Sequence, residues 1–178
     1  MFLSLVCVLA LAACGGGGKD GGTVEAPDLN QYYEDFMATL GEDNTPAMMD
    51  LEAEQIASYY PGLETYGAKQ LVLKAAAITA VPYEFALVEL TDEANAQAVA
   101  DIFQARIDAQ IEGGAFYPMT VEAWEKAQVI THGSVVALIC AGEEQSDAAA
   151  AFEKLFAQAS AFCLPPRVLP ADFSPGHS

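Results

Sequence analysis

The chain has 178 residues, 53% of them hydrophobic on a count that includes Ala, Tyr and Cys, so one domain with a real core can form and a wholly disordered chain is excluded. Acidic residues outnumber basic ones 25 to 7, for a formal net charge of −18. Nucleic-acid binding and electrostatic docking on anionic lipid both draw on Lys and Arg, and here Lys19, Lys69, Lys74, Arg106, Lys126, Lys154 and Arg167 are scattered without a patch, which excludes both.

Residues 1–13, MFLSLVCVLALAA, form an uncharged apolar run. It is too short to span a bilayer, which takes about 20 such residues, and has the length of a signal-peptide core. Leu11-Ala12-Ala13-Cys14 follows, and then Gly15 to Gly18. This order resembles the bacterial lipobox. The resemblance implies a signal peptide over 1–13, cleavage before Cys14, and acyl chains of the palmitate type on the Cys14 thiol. The product would be anchored on the extracytoplasmic face of the cell membrane. A thiol is what carries thioether-linked diacylglycerol, small residues open the scissile bond to the peptidase, and two acyl chains suffice for stable anchoring. Two other readings stay open: ordinary secretion with a cut after Ala10-Leu11-Ala12, and a buried N-terminal strand. The leader departs from pattern in having no Lys or Arg before Cys14, as a misassigned start or a truncated chain would give. Cys7 leaves with the leader. Cys140 and Cys163 remain, and they read as buried free thiols, although an oxidising compartment leaves a disulfide between them open.

Residues 14–27 read as a flexible Gly-rich tether and 28–163 as the folded domain. Asp28 and Gln31 have the spacing of a capping box, and Leu29, Tyr32, Tyr33, Phe36, Met37 and Leu40 then share one helical face, with Gly41 as the stop. Asp50 caps a second, short helix over 51–60, ended by Pro61-Gly62. Two strands follow, 71–78 and 83–90, the latter with Tyr83, Phe85 and Leu87 on one face. Thr91 caps a helix that carries Asp92 and Glu93 in its first turn, buries Val99, Ile102, Phe103 and Ile107, and closes at Gly113-Gly114. Residues 115–125 read as irregular, with one helical turn begun at Thr120. Strands over 126–131 and 134–141 come next, joined by a tight turn at His132-Gly133 where Gly supplies positive φ. Ser146 caps the last helix, whose core face is Phe152, Leu155, Phe156, Ala159 and Phe162. Residues 164–178 hold four prolines and read as a Pro-rich disordered tail. The order predicts an α+β fold: a four-stranded antiparallel sheet built from two β-β-α units, covered by helices on one face and preceded by an N-terminal helical pair. Identity between the two units is too faint to mark a duplication.

The lipobox and glycines, DLNQYYEDF, MMDLEAEQIASYYPG, YEFALVEL with TDEANAQAVADIFQARI, AQVITHGSVVALICA and AAAAFEKLF together resemble an uncharacterised family of small lipoproteins from Gram-positive, clostridial-type bacteria, domain-of-unknown-function family 4358. The resemblance spans about 28–156 and leaves the Pro-rich tail outside. It implies location and architecture, and brings no activity, cofactor or site residue with it.

Catalytic signatures are missing. His132 falls at a hairpin turn and His177 is next to last, so neither serves as a supported base for Ser or Cys, and no paired His or Cys has zinc spacing. Carboxylates are too many for any pair to stand out; Glu143, Glu144 and Asp147, like Glu42, Asp43 and Asp50, read as solvated or helix-terminal charges. A calcium site in either loop lacks the D-x-D-x-D-G run. Gly15 to Gly18 follow no strand and cradle no phosphate. Tyr59, Tyr60, Tyr66, Phe116, Tyr117 and Trp124 lie off the main core stripes; they read as sealing the edges of a small core, the other reading being a carbohydrate or peptide contact surface. No catalytic, metal or cofactor residue is assigned. The expectation is a non-enzymatic binding or structural module of the cell envelope, with the membrane and an unidentified envelope ligand or protein as partners. The alternatives are an envelope hydrolase using a carboxylate pair and a calcium-dependent adhesion module.

Overall fold

The computed structural model describes residues 26–161, with side chains as far as 157. The leader, Cys7, Cys14, most of the tether, Phe162, Cys163 and the Pro-rich tail therefore lie outside the described residues. Ten principal elements follow in chain order: α1 (Leu29–Thr39), β1 (Met48–Asp50), α2 (Ala53–Tyr59), β2 (Ala68–Ala76), β3 (Tyr83–Leu90), α3 (Ala96–Ala109), α4 (Pro118–Lys126), β4 (Gln128–His132), β5 (Val135–Ala141) and α5 (Gln145–Ala161). The fold is α+β with an antiparallel sheet, and the strand order is β1-β2-β3-β5-β4.

The sheet has five strands where four were expected. The addition is β1, which pairs Met48 with Ala76 and Asp50 with Lys74. A three-residue strand is too short to show an alternating pattern; it forms because the open edge of β2 offers unpaired backbone groups and Lys74 Nζ meets Asp50 at 2.6 Å. It also splits the expected N-terminal helical pair. With Asp50 in the strand, α2 starts later, and its capping interaction is Gln55 Oε1 accepting from the Glu52 amide at 2.9 Å.

Helices pack on both faces of the sheet, not on one. β5, VVALICA, is buried at every position, and β3 at all but Tyr83. Strands buried on both sides need a layer above and a layer below. On one side α1 and α5 set Tyr32, Phe36 and Phe152 against Phe85, Leu87 and Ile139. On the other, α2, α3 and α4 set Tyr60, Val99, Phe103 and Trp124 against Ala86, Val88 and Leu138. Within 115–125, read as irregular with one turn begun at Thr120, lies a full helix, α4, with Pro118 in its first turn, where the missing amide costs nothing; it also takes Lys126, read as the start of a strand. The last helix starts at Gln145, so Ser146 lies inside it rather than at its cap. At the entrance to α3 the cap is Asp92, accepting from the Ala94 amide at 3.0 Å, rather than Thr91.

Other expectations hold. Asp28 accepts from the Gln31 amide at 3.0 Å, though the Gln31 side chain turns to Asp35 instead of completing the box. Gly133 turns the β4–β5 hairpin at φ +57°. Where the chain enters the domain, the Gln70 side chain accepts from the Leu29 amide and donates to the carbonyl of Pro27 and to Glu89. This fixes Pro27 and the start of α1 beside the start of β2. The β2–β3 turn lies at the opposite end, nine residues along β2 or roughly 30 Å away.

Candidate functional site

The end of the domain at the β2–β3 turn holds its most distinctive chemistry. Along β3, residues 84, 86 and 88 point to the α3 side, so Glu84 stands where the pattern calls for an apolar residue and is 3% exposed. A carboxylate so placed requires partners. Arg106, in the last turn of α3, grips it in a fork: Nε to Oε1 at 2.9 Å and Nη2 to Oε2 at 2.7 Å. Tyr60, fully buried at the end of α2, donates its hydroxyl to Oε1 at 2.6 Å. The guanidinium lies 3.8 Å from the ring centre of Tyr59 and 5.5 Å from that of Trp124. The cluster thus joins α2, β3, α3 and α4.

Electrostatics follow from this burial. The Tyr60 hydroxyl is pushed well above its ordinary range by desolvation and by the charge and hydrogen bond of Glu84. Burial alone would lower the Arg106 guanidinium, but its bonds to Glu84 and the charge there raise it instead. Neither residue is poised to exchange a proton near neutral pH. The cluster floors a cleft of about 220 Å³, walled by Ala76, Val81, Trp124 and Gln110. Its outer wall is a π-helical turn, Gln110–Gly114, which continues α3.

A second concavity, about 460 Å³, opens on the other side of the β2–β3 turn. It brings Glu122, Glu143 and Glu144 together, the arrangement nearest to the carboxylate pair that hydrolysis would need. Glu122 is engaged by Lys126 at 2.8 Å, which holds its carboxyl below the usual range, and Glu144 receives the hydroxyl of Tyr83. Burial and Glu144 both raise the Tyr83 hydroxyl.

The residues singled out in the sequence distribute as follows. Tyr60 and Trp124 are buried and seal the core, Tyr59 and Tyr66 pack on its margin, and Phe116 and Tyr117 stand out in solvent. The sealing reading therefore holds for Tyr59, Tyr60, Tyr66 and Trp124 and not for Phe116 and Tyr117. His132 ends β4 at the end of the sheet away from the β2–β3 turn, 2.9 Å from Glu153 and stacked on Phe156; His177 lies outside the described residues. Among the described residues no three His, Cys, Asp or Glu side chains converge as a metal-holding group. Cys140 is buried and free, its thiol pushed up to about 12 by burial. Sequence reasoning missed the Glu84–Arg106 pair. Its one signal was a glutamate inside a strand whose neighbours all read as core.

Neither the curated proteins nor the solved structures hold a match to the chain. A family model described as Domain of unknown function (DUF4358) matches residues 41–141. The match begins at the glycine that stops α1 and ends with the last residue of β5, so it takes in the whole sheet, α2, α3, α4 and all of the Glu84–Arg106 cluster, but neither α1 nor α5. It covers more than half of the chain, which therefore belongs to the DUF4358 family, a domain of unknown function.

Proposed function

We propose that the protein is a membrane-anchored extracytoplasmic lipoprotein whose folded domain is a non-enzymatic binding module of the cell envelope. The observation that carries the anchor is Leu11-Ala12-Ala13-Cys14 between an apolar leader and Gly15 to Gly18. Among the described residues no helix is long and apolar enough to cross a membrane. Binding rather than catalysis is favoured by the clefts themselves. The carboxylate at the centre of the smaller one has both oxygens taken by Arg106 and Tyr60, and two of the three in the larger one are engaged by Lys126 and Tyr83. A general acid or base must instead be free to reach its substrate.

The test is phase partitioning. Expressed behind a complete leader in a bacterial host, the protein enters the detergent phase and its amino-terminal peptide carries diacylglycerol by mass spectrometry. Cys14→Ser moves it to the aqueous phase. An unmodified amino terminus, or equal partitioning of the two proteins, refutes the anchor.

A further inference from the structure

The same end of the domain carries an apolar surface that no element among the described residues covers. Phe116 is 87% exposed, Met119 75%, Ile78 63% and Tyr117 53%. The α3–α4 connection and the β2–β3 turn form one surface, because the Thr120 hydroxyl donates to the carbonyl of Ala80 at 3.2 Å. Phe116 and Tyr117 meet edge to face with centroids 5.5 Å apart. Apolar residues exposed singly are ordinary, whereas a group of them rimmed by charge marks a contact site. The larger concavity adjoins this surface: Met119, Pro82 and Ala123 give it an apolar lining, and Glu122, Glu143 and Glu144 give it an acidic rim. The only cation among its lining residues, Lys126, is paired with Glu122, so the rim stays negative.

The geometry points to a docking surface for a cationic protein segment, which sets an apolar side chain against Phe116 and Met119 and lays a Lys or Arg in the adjoining concavity. Charge selects this occupant. A second copy would bring one acidic rim against another in a chain of net charge −18, and an anionic lipid surface would be repelled in the same way. A Lys or Arg matches the concavity in both of its parts. Its aliphatic stem suits the Met119–Pro82–Ala123 lining, and its head reaches Glu143 and Glu144. Aromatic and Met side chains are the types enriched at interface centres, and Met adapts to varied partners. The inference rests on the binding-module reading but needs no lipid, so its failure in solution leaves the anchor at Cys14 untouched.

The experiment titrates purified full-length protein with a short synthetic amphipathic peptide of Leu and Lys, followed by calorimetry. Phe116→Ser/Met119→Ser and Glu143→Gln/Glu144→Gln each weaken binding about tenfold. Asp101→Asn/Asp108→Asn, which removes the same charge from the exposed side of α3, leaves it within about twofold. Circular dichroism checks that each variant is folded. Equal weakening by all three variants means unspecific attraction to an acidic chain and overturns the assignment, as does no effect of the first two. Two further arms separate other occupants. Dimerisation in sedimentation equilibrium that Phe116→Ser/Met119→Ser abolishes would assign the surface to a second copy. Flotation with phosphatidylcholine vesicles that the same variant abolishes would assign it to lipid. Either outcome overturns the cationic segment.

Discussion

Replacing Arg106 by Met removes the fork on Glu84 and keeps most of the side-chain volume. Glu84 is then left in the core, its side chain 4% exposed, with the Tyr60 hydroxyl as its remaining partner. Removing one member of a buried ion pair costs about 3–5 kcal/mol, and loss of the cation–π contact with Tyr59 adds about 0.5–1 kcal/mol. Against a total stability of about 5–15 kcal/mol this is a large loss. At a urea dependence of about 2 kcal/mol per molar it moves the unfolding midpoint down by about 2 M. Trp124 is the only tryptophan, is buried, and lies beside Arg106, so its fluorescence follows the transition locally while far-ultraviolet dichroism follows it globally. The diagnostic variant is the triple Glu84→Leu/Arg106→Met/Tyr60→Phe. It strips charge and hydroxyl together and leaves no desolvated group unpaired, so it recovers to within about 1–2 kcal/mol of the parent. A triple variant less stable than Arg106→Met, or an Arg106→Met cost below about 1 kcal/mol as in an exposed pair, would refute the account of this cluster.

Two other outcomes follow from titratable groups. Burial alone would raise the Glu89 carboxyl, but hydrogen bonds from Gln70 and Lys69 and the Lys69 charge hold it below the usual range. A folded pKa below the unfolded one gives stability that is present above the unfolded value of about 4.3 and lost as pH falls through the folded value. Acid unfolding curves of Glu89→Gln should therefore be flatter below about pH 4.3 than those of the parent, and parallel curves would show that Glu89 does not contribute. The Cys140 thiol, raised by burial to about 12, should resist iodoacetamide in the folded protein at pH 8 and react after denaturation. Peptide mapping distinguishes it from Cys163, and rapid native labelling of Cys140 would contradict its burial.

Long periodic segments were legible because their pattern and their burial have the same cause. The Tyr32–Phe36 stripe of α1 and the apolar run of β5 could be read directly, as could the two hairpins and the glycine that turns the second one. The number of layers was not legible from individual elements. A strand such as VVALICA, apolar at every position, requires cover on both sides, yet the two cover helices at the N- and C-terminal ends of the domain, α1 and α5, meet across the opposite face only through contacts such as Tyr32 to the carbonyl of Ala148, 116 residues apart. β1 is set by the edge of β2 rather than by its own three residues. The Glu84–Arg106 pair spans 22 residues and joins a strand to a helix, so neither short-range spacing nor a charge count exposes it.

The charge imbalance acquires a role once the cations are located. Among the described residues Lys69, Lys74, Arg106 and Lys126 each meet a carboxylate, and the first three tie strands to one another or to a helix. Four of the five described cations are thus engaged within the fold, Lys154 standing exposed on α5, and acids dominate the surface. That disposition bears on the exposed tip. Phe116 and Met119 on a neutral domain would invite self-association, since a self-complementary apolar patch pairs with its own copy. Flanked by the concavity of Glu122, Glu143 and Glu144, the same patch meets repulsion from another copy and attraction from a basic partner. The acidic rim thus supplies the discrimination that apolar contact by itself cannot.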